Sequence, residues 1–242
     1  MDGIIGVTPE ITARIQALAP RARAATISNG VDVAAVPFTG FAPFDGHTLR
    51  LVAVASRFVP SHGVDRLLAG IQAYRGTVGI ELLLVGCVPD DLKTSIGRCA
   101  LCPGVLCRCP GPVYGPGLDA YFAAANLAVA SLALSRKGLR QGCTLKVREY
   151  LARGIPFVYG HDDPDVPEPC GYALRLEDDG RAVDVQRLVD FAQTTAQAPG
   201  LAVQMRQYAL ARLDWSRKLG ALVEFAAALH RPGFCPQAAG RA

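Results

Sequence analysis

Hydrophobic residues occur along this chain as short continuous runs that alternate with segments of helical period. Residues 51–55 and 80–85 form two such runs, and residues 64–71 lie between them with apolar side chains at helical spacing. Continuous apolar runs are typical of strands that are buried on both faces, and the intervening helices connect strands that run in the same direction. The pattern therefore predicts an α/β protein built around a parallel sheet.

The same alternation continues toward the C-terminus. It predicts helices at 118–124, 144–152 and 183–196, strands at 127–130, 156–159 and 172–176, and one long final helix at about 201–229. Together these elements predict a doubly wound, Rossmann-like sheet. Because ligands of such sheets bind at the carboxyl ends of the strands, we expect the site to lie in the loops at 56–63, 86–90, 131–143 and 160–168.

The N-terminal residues predict a separate β-α-β fragment. An apolar run at 4–8 leads to Thr8 and Pro9, which are suited to be the capping residue and the first residue of a helix, and a second strand follows at 24–27. The predicted organisation is an N-terminal fragment at 1–36, a linker rich in proline and glycine at 37–48, the sheet domain at 49–200, a C-terminal helix at 201–230 and a tail at 231–242.

Composition excludes several classes of protein. Of the 242 residues, 50% are hydrophobic and 19% are charged, which supplies enough apolar material for a folded core and excludes intrinsic disorder. The net charge of +4 comes from scattered basic residues, so we expect no nucleic-acid partner. No apolar stretch is long enough to span a bilayer and no signal peptide is evident, so we expect a cytoplasmic protein with at most peripheral membrane association.

The first candidate site lies between a predicted strand and the next helix. Arg57 follows the run at 51–55, and His62 and Gly63 precede the helix. A guanidinium at a strand end and a second donor beside a helix N-terminus suit an anionic ligand such as a diphosphate. In the alternative interpretation, Arg57 is a surface ion-pair residue and His62 only caps a turn.

The second candidate is a basic, glycine-containing loop that leads into the helix at 144–152. Backbone N–H groups at the start of a helix, together with Lys146, suit the binding of phosphate. Glu149 lies further along the helix, where its carboxylate could accept hydrogen bonds from a ribose. In the alternative, Lys146 and Glu149 form an ordinary i,i+3 surface pair. The residues leading into the helix are Gln141, Gly142, Cys143 and Thr144.

Four of the eight cysteines lie close together in the sequence, at positions 99, 102, 107 and 109. A Cys-x-x-Cys pair is a half-site for tetrahedral zinc, but zinc modules usually separate their two pairs by a dozen or more residues. The alternative is a loop rich in proline and glycine that carries free thiols. Without a secretion signal, we expect reduced cysteines.

Several short motifs occur in an order that resembles the C-terminal, nucleotide-sugar-binding half of a retaining GT-B glycosyltransferase of family 4. The resemblance covers residues 1–230 and implies a Rossmann-like GT-B domain. The motifs are Asn29-Gly30-Val31-Asp32, Ser56-Arg57-Phe58, His62-Gly63-Val64-Asp65, Leu84-Val85-Gly86, the run Tyr121-Phe122-Ala123-Ala124-Ala125-Asn126, and residues 146–156.

The resemblance implies roles for individual residues. Arg57 and His62 would clamp the donor diphosphate, the segment 142–144 would add backbone donors, and Glu149 would bind the nucleotide ribose. The loop at His161-Asp162-Asp163 would lie near the donor sugar. The nucleotide-diphospho-sugar is implied as substrate, with a glycan or lipid-linked acceptor and with no metal or other cofactor.

The sequence departs from this family pattern in three respects. Gln141 stands where the family has the first of two paired glutamates, so an amide replaces a carboxylate. His62 stands where the family has a lysine. Most of the N-terminal acceptor domain is absent, so a separate acceptor-domain subunit is a possible partner. The apolar residues Trp215, Leu219, Leu222 and Phe225 of the final helix would then be left as an apolar patch for a partner, or else pack on the donor domain.

These observations support one main hypothesis and two alternatives. The main hypothesis is a hexosyltransferase-type enzyme, or a component of one, that acts in surface polysaccharide or glycoconjugate assembly. The first alternative is a non-catalytic nucleotide-sugar-binding module or the donor half of a split enzyme. The second is a protein whose role depends on zinc bound by the cysteine cluster.

Overall fold

The computed structural model describes residues 2–229, so the predicted tail at 231–242 lies outside the described residues. Eight strands and eight helices are present in this range, together with short 3₁₀ turns at Pro60–His62 and Leu134–Lys137. In chain order they are β1 (Gly3–Gly6), α1 (Pro9–Leu18), β2 (Arg23–Thr26), β3 (Thr48–Arg57), α2 (Val64–Ala73), β4 (Gly79–Cys87), α3 (Asp90–Ala100), β5 (Val105–Gly111), α4 (Pro116–Ala124), β6 (Leu127–Val129), α5 (Leu145–Arg153), β7 (Phe157–Tyr159), β8 (Ala173–Arg175), α6 (Val185–Ala196), α7 (Leu201–Arg212) and α8 (Trp215–Leu229).

The central feature is a six-stranded sheet in the order β5-β4-β3-β6-β7-β8, in which every neighbouring pair is parallel. The chain first builds outward from β3 through β4 to β5 and then returns to the other side of β3 with β6. The strand order therefore reverses between β3 and β6, and the crevice at their carboxyl ends is the place where doubly wound sheets bind ligands. The predicted parallel, Rossmann-like sheet is confirmed.

Successive side chains of each strand point to opposite faces of the sheet, and this divides the core into two layers. Leu51 and Ala53 of β3 pack with apolar side chains of α2, α3 and α6, whereas Val52 faces α4, α5 and α7. Both faces of the sheet are therefore covered by helices, which is why these strands read as continuous apolar runs.

The N-terminal fragment forms its own small sheet, in which β1 and β2 run parallel. Thr8 caps α1 as expected, since its Oγ1 accepts a hydrogen bond from the Ile11 N–H at 3.2 Å and Pro9 is the first helical residue. Local chemistry was sufficient to predict this helix start.

The segment that carries the clustered cysteines is not the loop of the alternative interpretation. It contains α3 and the edge strand β5, which carries Cys107 and Cys109. On α3, Leu92 and Ile96 recur with the buried Cys99 at helical spacing, whereas no residue of the edge strand β5 is fully buried.

The predicted single helix at about 201–229 is wrong, because the chain breaks into α7 and α8 at Leu213 and Asp214. Val31 donates its N–H to the Leu213 carbonyl at 2.9 Å, and its own carbonyl accepts from the Trp215 N–H at 3.1 Å. The Asp214 carboxylate accepts from the Val33 N–H at 3.2 Å. The break is therefore made by contacts with a segment some 180 residues earlier.

Helix α8 crosses back onto the N-terminal fragment. A Cβ added to Gly30 would lie 2.8 Å from the Trp215 ring, and one added to Gly3 would lie 3.0 Å from the Phe225 ring. These two aromatic residues thus pack on the fragment rather than on the six-stranded sheet. Leu219 stays 50% exposed, so part of the expected apolar patch remains at the surface. No described helix has the length and hydropathy needed to cross a membrane.

Candidate functional site

The candidate site lies at the strand-order reversal, where the turn after β3 touches the loop after β6. The N–H of Leu132 donates to the His62 carbonyl at 3.1 Å, and that of Ala133 donates to the Ser61 carbonyl at 3.2 Å. Gly63 adopts a φ of +67°, and a Cβ at this position would lie 2.8 Å from the Leu132 Cβ. Only glycine allows both the left-handed backbone and this close approach.

Arg57 is the last residue of β3 and its side chain is exposed. It forms no ion pair with any residue in the described range 2–229, unlike most of the other arginines. The alternative of a surface ion-pair arginine is therefore not supported. The guanidinium is left available at the mouth of the crevice.

His62 is half-buried in the turn that follows. Its Nδ1 accepts a hydrogen bond from the Val59 N–H at 3.2 Å, so the expected turn-capping contact does form. Burial, with the positive charges of Lys146 and Lys137, lowers the pKa of His62 to about 4. Without a ligand the imidazole is thus neutral at physiological pH.

Lys146 lies in the first turn of α5 and is half-buried. Its pKa is lowered to about 8 by burial and by the charge of Lys137. The alternative of a Lys146–Glu149 pair is wrong, because Glu149 instead accepts a hydrogen bond from Arg153 Nε at 2.8 Å. Within the described part of the chain, Lys146 has neither an ion pair nor a hydrogen bond from its side chain.

The start of α5 leaves hydrogen-bonding capacity unused. Thr144 occupies the N-cap position, but its side chain makes no capping bond and its Oγ1 is buried without a partner. Burial raises the pKa of the Cys143 thiol to about 12, so this residue offers the site its backbone rather than a thiolate. The first N–H groups of a helix have no partner within the helix and favour an anion.

The segment before α5 is tightly packed. Gly142 donates its N–H to the Asp162 carbonyl at 2.9 Å, and a Cβ on it would lie 3.0 Å from the His161 ring. The position requires glycine because Leu134 closes the other side.

Glu149 lies one turn beyond Lys146, with its side chain 33% exposed. Arg153, which binds one of its oxygens, also pairs with Asp119 at 2.7 Å and stacks over the Phe122 ring at 4.4 Å. The carboxylate is thus fixed on the side of α5 that faces α4.

Gln141 does not project freely into the crevice. Its Oε1 accepts a hydrogen bond from the Glu10 backbone N–H at 2.9 Å, and its own N–H donates to the Glu10 carboxylate at 2.8 Å. Sequence reasoning missed Glu10 because the two residues are 131 positions apart.

Asp65 and Arg66, which complete the His62–Arg66 motif, hold the loops in place. Asp65 accepts two hydrogen bonds from Arg136, at 2.8 and 2.7 Å. Arg66 is buried and donates to the carbonyls of Glu177 at 2.6 Å and Arg181 at 2.7 Å. Arg66 and Arg136, which sequence reasoning could assign to a ligand, are therefore engaged within the protein.

His161 is 4% exposed and lies beside a cleft of about 460 Å³ at the carboxyl ends of β7 and β8. Its Nδ1 lies 3.3 Å from the Ser131 carbonyl oxygen, and its Nε2 has no hydrogen-bond partner among the described residues. Burial lowers the pKa of this histidine, so the ring is neutral. The cleft is also lined by Ser135, Leu139, Arg140, Gly160, Asp162, Arg175, Leu176, Glu177 and Asp178.

A buried ion network lies behind the site. Arg148, fully buried, pairs with Asp163 and with Asp165, the latter at 2.6 Å, and Asp165 also lies 3.3 Å from Lys218 of α8. Cys143, Asp163 and Asp165 form the one group of three potential metal ligands found within residues 2–229. Because cations already neutralise both carboxylates and the thiol is protonated, this group completes the ion network rather than forming a metal site.

The cysteines at 99–109 lie on α3, on β5 and on the turn between them. Cys99 is buried, and its Sγ donates a hydrogen bond to the Leu68 carbonyl at 3.2 Å. No three of these sulfurs form a group of metal-ligand spacing in the described structure. The structure therefore lends no support to the zinc hypothesis, with Cys99 turned into the core and Cys109 exposed on the edge strand.

Comparison with known proteins shows similarity in structure only, since no family model and no curated protein matches the sequence. Sucrose-phosphate synthase from Thermosynechococcus elongatus superposes with a TM-score of 0.65 at 18% identity, over 93% of this chain and 57% of that one. HepE from Anabaena, solved with UDP and glucose, gives 0.63 at 15% identity over 94% and 63%. A glycosyltransferase from Rickettsia africae gives 0.66 at 10% identity over 96% and 64%.

These structural neighbours are glycosyltransferases, and this chain spans about three fifths of their length. The resemblance predicted from the motifs is thus confirmed at the level of the fold. The chain has the Rossmann-like fold of one half of a GT-B glycosyltransferase.

Proposed function

We propose that this chain binds a nucleotide-diphospho-sugar across the β3–β6 crevice and provides the donor half of a retaining glycosyltransferase. The acceptor is a saccharide or a lipid-linked glycan, in surface polysaccharide or glycoconjugate assembly. The acceptor-binding part is supplied by further polypeptide, either in the same protein or in a separate subunit.

The observation that carries this proposal is that the cation Lys146 has no ion-pair partner within residues 2–229. A half-buried lysine normally has a carboxylate partner, because desolvation of the ammonium group costs free energy. Here the neighbouring charge is that of Lys137, which lowers rather than raises the pKa values of both Lys146 and His62. Such a cluster is best compensated by an anion from outside the chain.

The surrounding groups suit a diphosphate in particular. The start of α5 contributes backbone N–H donors and the unpartnered Thr144 hydroxyl, and Arg57 can approach from the opposite side of the crevice. A bound phosphate beside the neutral His62 would raise the pKa of its imidazole and favour its protonation. In the proposed mechanism, Arg57, His62, Lys146 and the α5 N-terminus offset the charge that develops on the departing nucleoside diphosphate.

Glu149 is proposed to accept hydrogen bonds from the ribose hydroxyls, since one of its oxygens has no partner among the described residues. No residue of the site requires a metal ion for this role, and we propose that the donor binds without one. Non-catalytic binding of a nucleotide-sugar is the alternative. Release or transfer of glucose from UDP-glucose by this chain alone would exclude that alternative.

Nucleotide binding gives the direct test. We expect calorimetry to detect binding of UDP or GDP, and we expect Arg57→Ala and Glu149→Ala each to weaken it by about tenfold, the loss for one charge-assisted hydrogen bond. Arg98→Ala is the matched control, because Arg98 is exposed on α3, away from the crevice. Absence of binding to both nucleotides would refute the proposed function.

Proton uptake gives a second test. Because Lys146 has a pKa of about 8 in the free protein, a bound diphosphate should raise that pKa and draw in about half a proton at pH 8. Affinity should therefore be highest below pH 8 and fall as the pH rises above it. Calorimetry at pH 8 in two buffers of different ionisation enthalpy measures this uptake. Lys146→Arg should abolish it, since arginine stays protonated; equal heats for the parent chain in both buffers would contradict the prediction.

A further inference from the structure

The first two turns of α1 are joined to the loop that leads into α5 by four hydrogen bonds, which we call the Glu10 clasp. One Glu10 carboxylate oxygen accepts from the N–H groups of Arg140, at 2.9 Å, and Gln141, at 2.8 Å. In return, the Glu10 N–H donates to Gln141 Oε1 at 2.9 Å. Arg14 completes the contact by donating to the Gly138 carbonyl at 2.5 Å.

The clasp is a specific arrangement rather than a chance surface contact. Two successive backbone N–H groups form a concavity that binds anions, and here the chain's own carboxylate fills it. The other Glu10 oxygen is held by Arg14 at 2.6 Å, and the Glu10 side chain is only 17% exposed. The backbone N–H groups and Arg14 hold the pKa of Glu10 below its ordinary value, so the carboxylate stays ionised at neutral pH.

The clasp also explains why position 141 carries an amide. The Gln141 oxygen must accept from the Glu10 N–H while standing beside the Glu10 carboxylate. A glutamate at 141 would place a second negative charge against the first, whereas the neutral amide accepts the hydrogen bond without repulsion.

The loop that the clasp fixes lies between two of the site's cations. Lys137 ends the 3₁₀ turn just before Gly138, and Lys146 follows Gln141 by five residues, in the first turn of α5. Any rotation of the 138–141 backbone would therefore change the distance between Lys137, Lys146 and the first N–H groups of the helix.

We propose that Glu10 is a positioning residue for diphosphate binding: from the N-terminal fragment, it fixes the 138–141 backbone so that the basic cluster and the α5 N-terminus face the same ligand. This inference rests on the proposed function. It implies that the site is formed jointly by the N-terminal fragment and the six-stranded sheet, because α1 supplies a contact that the sheet cannot make alone.

The test uses UDP as the probe and a charge exchange across the clasp. We expect Glu10→Gln and Gln141→Glu each to weaken UDP binding by about fivefold and to speed hydrogen exchange of the Arg140 and Gln141 amides by at least about tenfold. The double variant Glu10→Gln/Gln141→Glu restores one carboxylate and one amide at the contact, and its affinity should return to within about twofold of the parent. Melting temperatures measured alongside show that each variant folds.

Glu81→Gln is the matched control, because Glu81 pairs with Arg50 and Arg108 in the amino-terminal half of β4 and should leave UDP affinity unchanged. Faster amide exchange with unchanged UDP affinity in Glu10→Gln would overturn the inference and leave the clasp as a structural contact. A double variant weaker than both single variants would overturn it as well. Failure of the parent chain to bind UDP or GDP would instead refute the proposed function, which calorimetry on the parent establishes first.

Discussion

Replacing Lys146 with alanine should weaken UDP binding at least about thirtyfold, the largest loss expected for any single side chain of the site. Truncating one partner of a buried charge pair costs roughly 2–5 kcal/mol, and each 1.4 kcal/mol is about a factor of ten in affinity. Lys146 is half-buried and has no intramolecular partner in the described structure. In Lys146→Ala, a bound phosphate would therefore lose the cation that compensates its charge. Calorimetric titration with UDP measures the effect.

The same variant has a second readout in the free protein. The charge of Lys146 contributes to the lowered pKa of His62, so Lys146→Ala should move that pKa upward, which NMR titration of the imidazole detects. Lys93→Ala removes an exposed lysine that pairs with Asp90 on α3, and it should change neither quantity. A UDP affinity within about threefold of the parent in Lys146→Ala would show that the cation cluster does not bind the diphosphate.

Replacing Arg148 with methionine should lower the free energy of unfolding by about 3–5 kcal/mol. The reason is that Arg148 and Asp163 are both fully buried, and removal of one partner leaves an uncompensated charge in the interior. The substitution should also destabilise contacts outside α5, since Arg148 Nε donates to the Asn29 carbonyl at 3.1 Å and its partner Asp165 contacts Lys218 of α8. Urea denaturation measures the change.

Two variants separate the buried charge from the loss of side-chain packing. Arg187→Met removes an exposed arginine that pairs with Glu177 at 2.7 Å, and it should cost less than about 1 kcal/mol. Arg148→Met/Asp163→Asn should recover part of the loss, because the amide carries no charge. If Arg148→Met costs no more than Arg187→Met, then Asp163 is adequately compensated by other groups.

The elements that sequence patterns predicted are those whose signals are local. The Thr8–Pro9 helix start depends on a bond between residues three apart, and β3 and β4 are recognised because helices cover both of their faces. Strand β5 escaped prediction because it is an edge strand with no fully buried residue, and α3 was missed although Leu92, Ile96 and Cys99 recur at helical spacing. The break between α7 and α8 escaped because contacts with Val31 and Val33 impose it.

The candidate site was likewise predicted only in part from the sequence. Motif order placed Arg57, His62 and Lys146 at the ends of the right strands and helices. It could not distinguish engaged arginines from others: within residues 2–229 Arg57 forms no ion pair, whereas Arg136 is bound by Asp65, 71 residues away. Nor could it show that the Gln141 amide contacts α1.

The sequence alone determined the fold class and the edge of the sheet where we propose that a ligand binds, because hydrophobic period and helix capping arise from interactions between residues a few positions apart. The tertiary structure decided which charges are available to that ligand. A charged side chain is neutralised by whatever group lies within a few ångströms in space, and here those groups come from segments up to 131 residues apart. Only the folded chain therefore shows that Lys146 has no partner among the described residues while Glu10 is committed to the loop beside it.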